Sequence, residues 1–133
     1  KAVDFEFLRE CRAVRVVVFS TDSTAEEFGQ AVEAIGLHGV TYSVGWTAWL
    51  DIAAAGVTKA SALEQVRRRL NIDPMHTVAV GDGRNDIEML SWAARGVAMG
   101  QSPGEVVAAA SEVTGSVYED GAAEVLRSLL VRR

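Results

Sequence analysis

Apolar residues along this chain change their period several times, and the changes mark out its elements. Val14 to Phe19 is a continuous β-branched and aromatic run, the pattern of a strand. Ser20-Thr21-Asp22-Ser23-Thr24 follows with several candidate helix caps, and Glu26 and Glu27 suit a first helical turn. Phe28, Val32 and Ile35 then recur at helical spacing, and Gly36 ends that helix. Val40 to Val44 and Trp46 to Ile52 read as two strands split at Gly45. The opening of the chain is therefore β-α-β-β.

The pattern changes after Gly56. Thr58 to Leu70 predicts a helix with Ala62, Leu63, Val66 and Leu70 turned inward, and Asn71 to Pro74 a loop. Thr77 to Val80 predicts a buried strand, Arg84 to Ala94 a helix and Gly96 to Met99 a short strand. Ser102-Pro103-Gly104-Glu105 opens another helix, with Pro103 suited to its first position. Val113 and Thr114 form a candidate edge strand, and Glu119 to Val131 a final amphipathic helix. Alternating helices and strands predict an α/β, Rossmann-like fold, a parallel sheet covered by helices. A boundary is expected between Ala54 and Val57, dividing the chain into residues 1–55 and 56–133.

Composition narrows the picture. A length of 133 residues suits one domain or a piece of a larger protein, and 49% hydrophobic residues are enough for a core. The net charge of −5 argues against nucleic acid as a partner. Arg67-Arg68-Arg69 is the one basic run, and it reads as the last turn of a helix, where cations favour the dipole. Cys11 is the only cysteine, so no internal disulfide is available and no oxidising compartment is implied. No apolar run approaches the roughly 20 residues that span a bilayer, and no secretory signal opens the chain. No membrane partner is expected, and the expected location is the cytoplasm. The chain begins with Lys1 rather than Met, as a fragment or a processed product would.

The densest chemistry lies in Gly81-Asp82-Gly83-Arg84-Asn85-Asp86, between an apolar strand and a helix start. Open α/β sheets bind ligands at that edge, and carboxylates there can hold a hard cation such as Mg²⁺. The plain structural alternative is a tight turn with Asp86 as a helix cap. Lys59 begins the preceding helix, where its ammonium could help to hold a phosphate. Alone it would read as a surface lysine; its pairing with the acidic loop makes it a candidate. Trp46, Trp49 and Trp92 could suggest a ligand platform, but Trp46 and Trp49 straddle a strand and are expected on opposite faces. His38 and His76 have no partners at zinc-ligand spacing. A phosphate-binding GxxxxGK loop and a Gly-x-Ser-x-Gly elbow are both missing.

From Ile52 to Leu130 the chain resembles the haloacid dehalogenase-like phosphohydrolase superfamily, and within it the Cof-type group with a type IIB cap. Ile52 to Leu63 resembles that group's passage from cap to core, ending in the motif lysine, here Lys59. Gly81 to Asp86 is similar to its acidic metal motif. Gly96-Val97-Ala98-Met99-Gly100 and Asp120 to Leu126 are similar to two later core segments. The resemblance implies a Mg²⁺-dependent phosphatase acting through an aspartyl-phosphate on a small phosphorylated metabolite, a sugar phosphate being one candidate. It implies Asp82 and Asp86 as metal and catalytic residues, Lys59 as catalytic and phosphate-binding, and Asn85 as substrate-binding. Residues 1–55 would be the end of an α+β cap and residues 56–133 the C-terminal half of the core.

The chain departs from the family pattern in two places. The nucleophile motif, Asp-x-Asp-Gly-Thr after an apolar strand, is missing. Its nearest imitation is Phe19 to Thr24, where Ser20 stands in place of the nucleophile. Ser43 is a weak candidate for the family's second motif. The favoured reading is a chance match within the cap, with the nucleophile upstream of Lys1 and the chain inactive alone. The rival is a non-catalytic metal- or phosphate-binding or regulatory module that lost its nucleophile. Gln101-Ser102 also replaces the family's frequent Asn-Ala. A core without its nucleophile strand exposes a sheet edge, so self-association is expected.

Overall fold

A computed structural model describes residues 2–45 and 47–130. The chain forms two compact units, Lys1–Ala55 and Gly56–Arg133.

The first unit opens with a helix that the apolar pattern does not announce, α1 (Phe5–Glu10), capped by Asp4, whose side chain accepts from the Phe7 N–H at 2.7 Å. Phe5, Phe7 and Leu8 are all exposed, so six residues carry no buried stripe for periodicity to reveal. Strands β1 (Arg15–Phe19), β2 (Val40–Val44) and β3 (Trp49–Ala54) form an antiparallel sheet in the order β1-β3-β2. The parallel arrangement is thus confined to the second unit. Val17 pairs with Asp51, and Tyr42 with Ile52. The third strand starts at Trp49 rather than at Trp46, which lies outside the described residues. Helix α2 (Ala25–Ile35) is held by a capping box, Thr24 with Glu27, and it packs on β3. Val32 is its buried residue, Phe28 is half-buried, and Ile35 is exposed despite its helical spacing. Each residue of β1 is exposed, because this strand pairs on one side only and α2 packs on β3.

In the second unit, β4 (Val78–Gly81), β5 (Arg95–Ala98) and β6 (Glu112–Val113) form a parallel sheet in that order. Ala79 pairs with Gly96, Gly81 with Ala98, and Ala98 with Val113. Helices α3 (Lys59–Arg69), α4 (Ile87–Trp92), α5 (Gly104–Ala109) and α6 (Gly121–Leu130) complete it. Ala79, Leu90 and Val106 make the core cluster, with Ile87, Met89, Ala93 and Ala110 packed against it.

Several expectations shift by a turn or a face. Arg84–Asp86 is a 3₁₀ turn ahead of α4, because the Asp86 side chain folds back onto the preceding loop. Pro103 caps α5 instead of entering it. Asp120 stands in the left-handed region (φ 55°), which interrupts the final helix, so α6 starts at Gly121. The largest difference is in α3. Ala62, Leu63, Val66 and Leu70 are exposed, whereas Glu64 and Arg67 are half-buried. The helix meets α4 through polar groups: the Trp92 indole donates to Glu64 at 3.1 Å, and Arg67 and Arg68 bond the same carboxylate.

Arg67, Arg68 and Trp92 hold the Glu64 carboxyl well below its ordinary value of 4.5. Its charged form is therefore favoured by folding, and the stability it contributes is present above about pH 4.5 and lost as pH falls through the lower folded value. Glu64→Gln is expected to flatten the acid side of the stability profile. Urea midpoints measured from pH 6 down to about pH 2 check this; parallel profiles for the two proteins would reject it. Among the described residues no helix is long and apolar enough to cross a membrane.

Candidate active site

Strand β4 ends at Gly81, and the chain leaves the sheet at Asp82. The next five residues curl so that Asp86, a residue only 4% exposed, lays its carboxylate under the turn. Its Oδ2 accepts from the backbone N–H groups of Asp82 and Gly83, each at 3.0 Å. Its Oδ1 forms an ion pair with the Lys59 ammonium. Asp86 thus ties the acidic loop to the start of α3. Gly81 makes room for this: a Cβ there would meet the Asp86 Cβ at 2.5 Å and its Cγ at 2.6 Å. A larger residue at the end of β4 would push the carboxylate out of the turn.

Lys59 is the first residue of α3, behind the Thr58 cap, which accepts from the Ser61 N–H at 3.1 Å. A cation at a helix start opposes the dipole, and the buried Asp86 offsets that cost. The side chain of Lys59 remains 48% exposed, so the ammonium is reachable by an anion from solvent while its partner is not.

Asp82 differs from Asp86. It is half-buried, and its Oδ2 accepts from the Gln101 Nε2 at 3.0 Å. Its Oδ1 takes no hydrogen bond among the described residues. Asn85 is exposed, with its side-chain oxygen close to Gly83. The structure therefore brings Lys59, Asp86 and Asp82 together and leaves Asn85 facing solvent beside them. Gln101, a departure from the family pattern, belongs to the site as well, because its side chain reaches Asp82. Its signal was positional: Ala98 pairs with Gly81, so the residues after β5 leave the sheet beside Asp82.

The donor set fits a hard cation in part. It is oxygen only, with one carboxylate oxygen open and a second carboxylate behind it. Among the described residues no three His, Cys, Asp or Glu side chains converge to hold an ion by themselves. Mg²⁺ suits such a site, since it is bound by one or two carboxylates with waters and substrate phosphates completing its shell. Trp92 bonds Glu64, His38 and His76 are exposed, and Ser20 follows β1 in the antiparallel sheet rather than the sheet that carries Asp82. Thr24 in the same run caps α2, and the Ser20 hydroxyl bonds Ser23.

A parallel sheet that presents an acidic turn and a lysine at its carboxyl edge defines an α/β protein of the ligand-binding Rossmann-like class. A family model of haloacid dehalogenase-like hydrolases matches residues 2–126, and the chain belongs to that family. It is 30% identical over 127 residues to a phosphoglycolate phosphatase of Methanoculleus marisnigri, covering 96% of this chain and 53% of that protein. It is 37% identical over 78 residues to the 5-amino-6-(5-phospho-D-ribitylamino)uracil phosphatase YcsE of Bacillus subtilis, covering 59% of this chain and 31% of the relative. Among solved structures, a subclass IIB sugar phosphatase of the same superfamily superposes with a TM-score of 0.79 at 33% identity, over 96% of this chain and 47% of that one. The chain spans about half the length of the first of these relatives.

Proposed function

We propose that this chain supplies the C-terminal half of a cytoplasmic, Mg²⁺-dependent phosphatase that hydrolyses a small phosphorylated metabolite through an aspartyl-phosphate. Residues 1–55 would be the end of a cap and residues 56–133 part of the catalytic core. The observation that carries the reading is the Lys59–Asp86 pair locked against the Asp82 turn at the carboxyl edge of the parallel sheet. The likeness to a sugar phosphatase and to phosphatases of other small phosphate esters supports the substrate class.

In this reading Asp82 gives the cation its open carboxylate oxygen, and Asp86 keeps the loop and Lys59 in register. When bound, Mg²⁺ supplies charge neutralisation at the phosphoryl oxygens. Lys59 meets the same oxygens with its exposed ammonium, and Asn85 stands where its amide can donate to them. Phosphoryl transfer depends chiefly on such positioning and neutralisation. The attacking carboxylate would come from a strand ahead of Lys1, paired with the open edge of β4. The rival reading of a chain without Asp-x-Asp-Gly-Thr is a metal- or phosphate-binding or regulatory module that lost its nucleophile.

The purified chain is expected to leave p-nitrophenyl phosphate intact in the presence of Mg²⁺. Turnover that disappears in Asp82→Ala would overturn the assignment of the nucleophile to another segment. The β4 edge, unpaired among the described residues, and exposed Val66 on α3 and Leu70 at its C-terminal cap also favour self-association. Light scattering on the same sample tests this, and a monodisperse monomer would remove it.

A further inference from the structure

We propose that Gln101 is a positioning residue for Asp82, a role that rests on the cation reading above. Its carboxamide spans two segments. Nε2 donates to Asp82 Oδ2 at 3.0 Å, and Oε1 accepts from the Val117 backbone N–H at 3.0 Å. Both partners impose the same orientation of the amide. A backbone N–H can only donate, so it must face Oε1; an ionised carboxylate only accepts, so it must face Nε2. The network leaves no room for a flipped side chain.

The placement follows from the sheet. Met99 donates its N–H to the Gly81 carbonyl at 2.9 Å, which extends the β4–β5 pairing to the sheet edge. Ser102 then donates to the Met99 carbonyl at 3.0 Å, closing a turn that carries Gln101 back toward Asp82. Val117 opens the 3₁₀ turn before α6, so the clamp is anchored on a third segment. Asp82 is consequently held twice. Asp86 takes its backbone N–H, and Gln101 takes one carboxylate oxygen. The oxygen left over is Oδ1, and rotating the carboxylate would break the Gln101 bond to Oδ2. Groups that orient a metal ligand in this way commonly change metal affinity by roughly tenfold or more when removed.

The probe is Mn²⁺, titrated into the full 133-residue chain and followed by water-proton relaxation, with Gln101→Met as the variant of similar shape that cannot make either bond. The unaltered chain is expected to take up Mn²⁺, Asp82→Asn to lose it, and Gln101→Met to bind roughly tenfold more weakly. Amide exchange gives a second readout. Asp82→Asn should leave the Val117 N–H protected, because its anchor on Gln101 is intact, whereas Gln101→Met should expose it. If Gln101→Met holds Mn²⁺ as tightly as the unaltered chain, Gln101 only fastens the loop and the positioning role is wrong. If the unaltered chain takes up no Mn²⁺, the cation reading itself fails and the role falls with it. The two failures are distinguished by the unaltered chain.

Discussion

Asp86→Ala is expected to cost about 3–5 kcal/mol of stability in the second unit, the usual result of removing one partner of a buried ionic network. Asp86 is 4% exposed, and its carboxylate serves three donors: the N–H groups of Asp82 and Gly83 and the Lys59 ammonium. Truncation leaves the buried Gly83 N–H without an acceptor, at about 1–3 kcal/mol, and leaves Lys59 at a helix N-terminus with nothing to offset the dipole. Lys59 is half-exposed and can recover hydration, so the lower part of the range is the better expectation. Asp86→Asn should fall between. Its amide oxygen can still accept from the two backbone groups, but its NH₂ then meets the ammonium, donor against donor. Urea unfolding followed by amide resonances of residues 56–130 measures both. A loss under about 1 kcal/mol for Asp86→Ala would mean that the turn is not built on this carboxylate.

Gly96→Ala is the second large effect expected. Gly96 lies in β5, opposite Ala79, and is buried. A Cβ added there would run into the backbone carbonyl of Leu90, with the Leu90 carbonyl carbon at 2.8 Å and its Cα at 3.1 Å. These are backbone atoms of α4, so no side-chain rotation relieves the clash. The helix must lift from the sheet, and Leu90, 2% exposed in the core, must leave its packing with Ala79 and Val106. Overpacking of this kind commonly costs 1–3 kcal/mol, and a backbone collision places this case at or above about 3 kcal/mol. The site should suffer too, because the Asp86 turn runs directly into α4. Gly104→Ala is the control: a Cβ there meets nothing within 4 Å, and little change is expected. Equal midpoints for the two variants in thermal melts would reject the close contact between α4 and β5.

Much of this fold was readable from local pattern. The run Val14 to Phe19, the helix after Thr24 and the strand before Gly81 all stand within a residue or two of their expected places. Each is specified by neighbours close along the chain: β-branched runs, caps and glycine turns act over one or two turns of backbone. The acidic loop was legible for the same reason, since its residues lie within a single turn. Helix α3 shows where that reasoning stops. Ala62, Leu63, Val66 and Leu70 have the spacing of an inward face, yet the helix packs through Glu64, Arg67 and Trp92. Spacing tells which residues share a face, and the contacts available decide which face is covered.

By itself, then, the sequence determined the elements, the glycine-flanked acidic loop and the lysine at a helix start. Periodicity and capping depend on residues a few positions apart, and this information is complete in the chain. The tertiary structure alone decided that the first sheet is antiparallel and the second parallel. It also decided that Asp86 turns inward to Lys59, 27 positions away, and that Gln101 reaches Asp82 across 19. Both contacts depend on which strands lie side by side and where each one ends. Two carboxylates four residues apart are chemically identical in the sequence. Folding surrounds one with three donors and leaves the other with an oxygen that takes no hydrogen bond among the described residues, and this difference in surroundings is set by tertiary contacts alone.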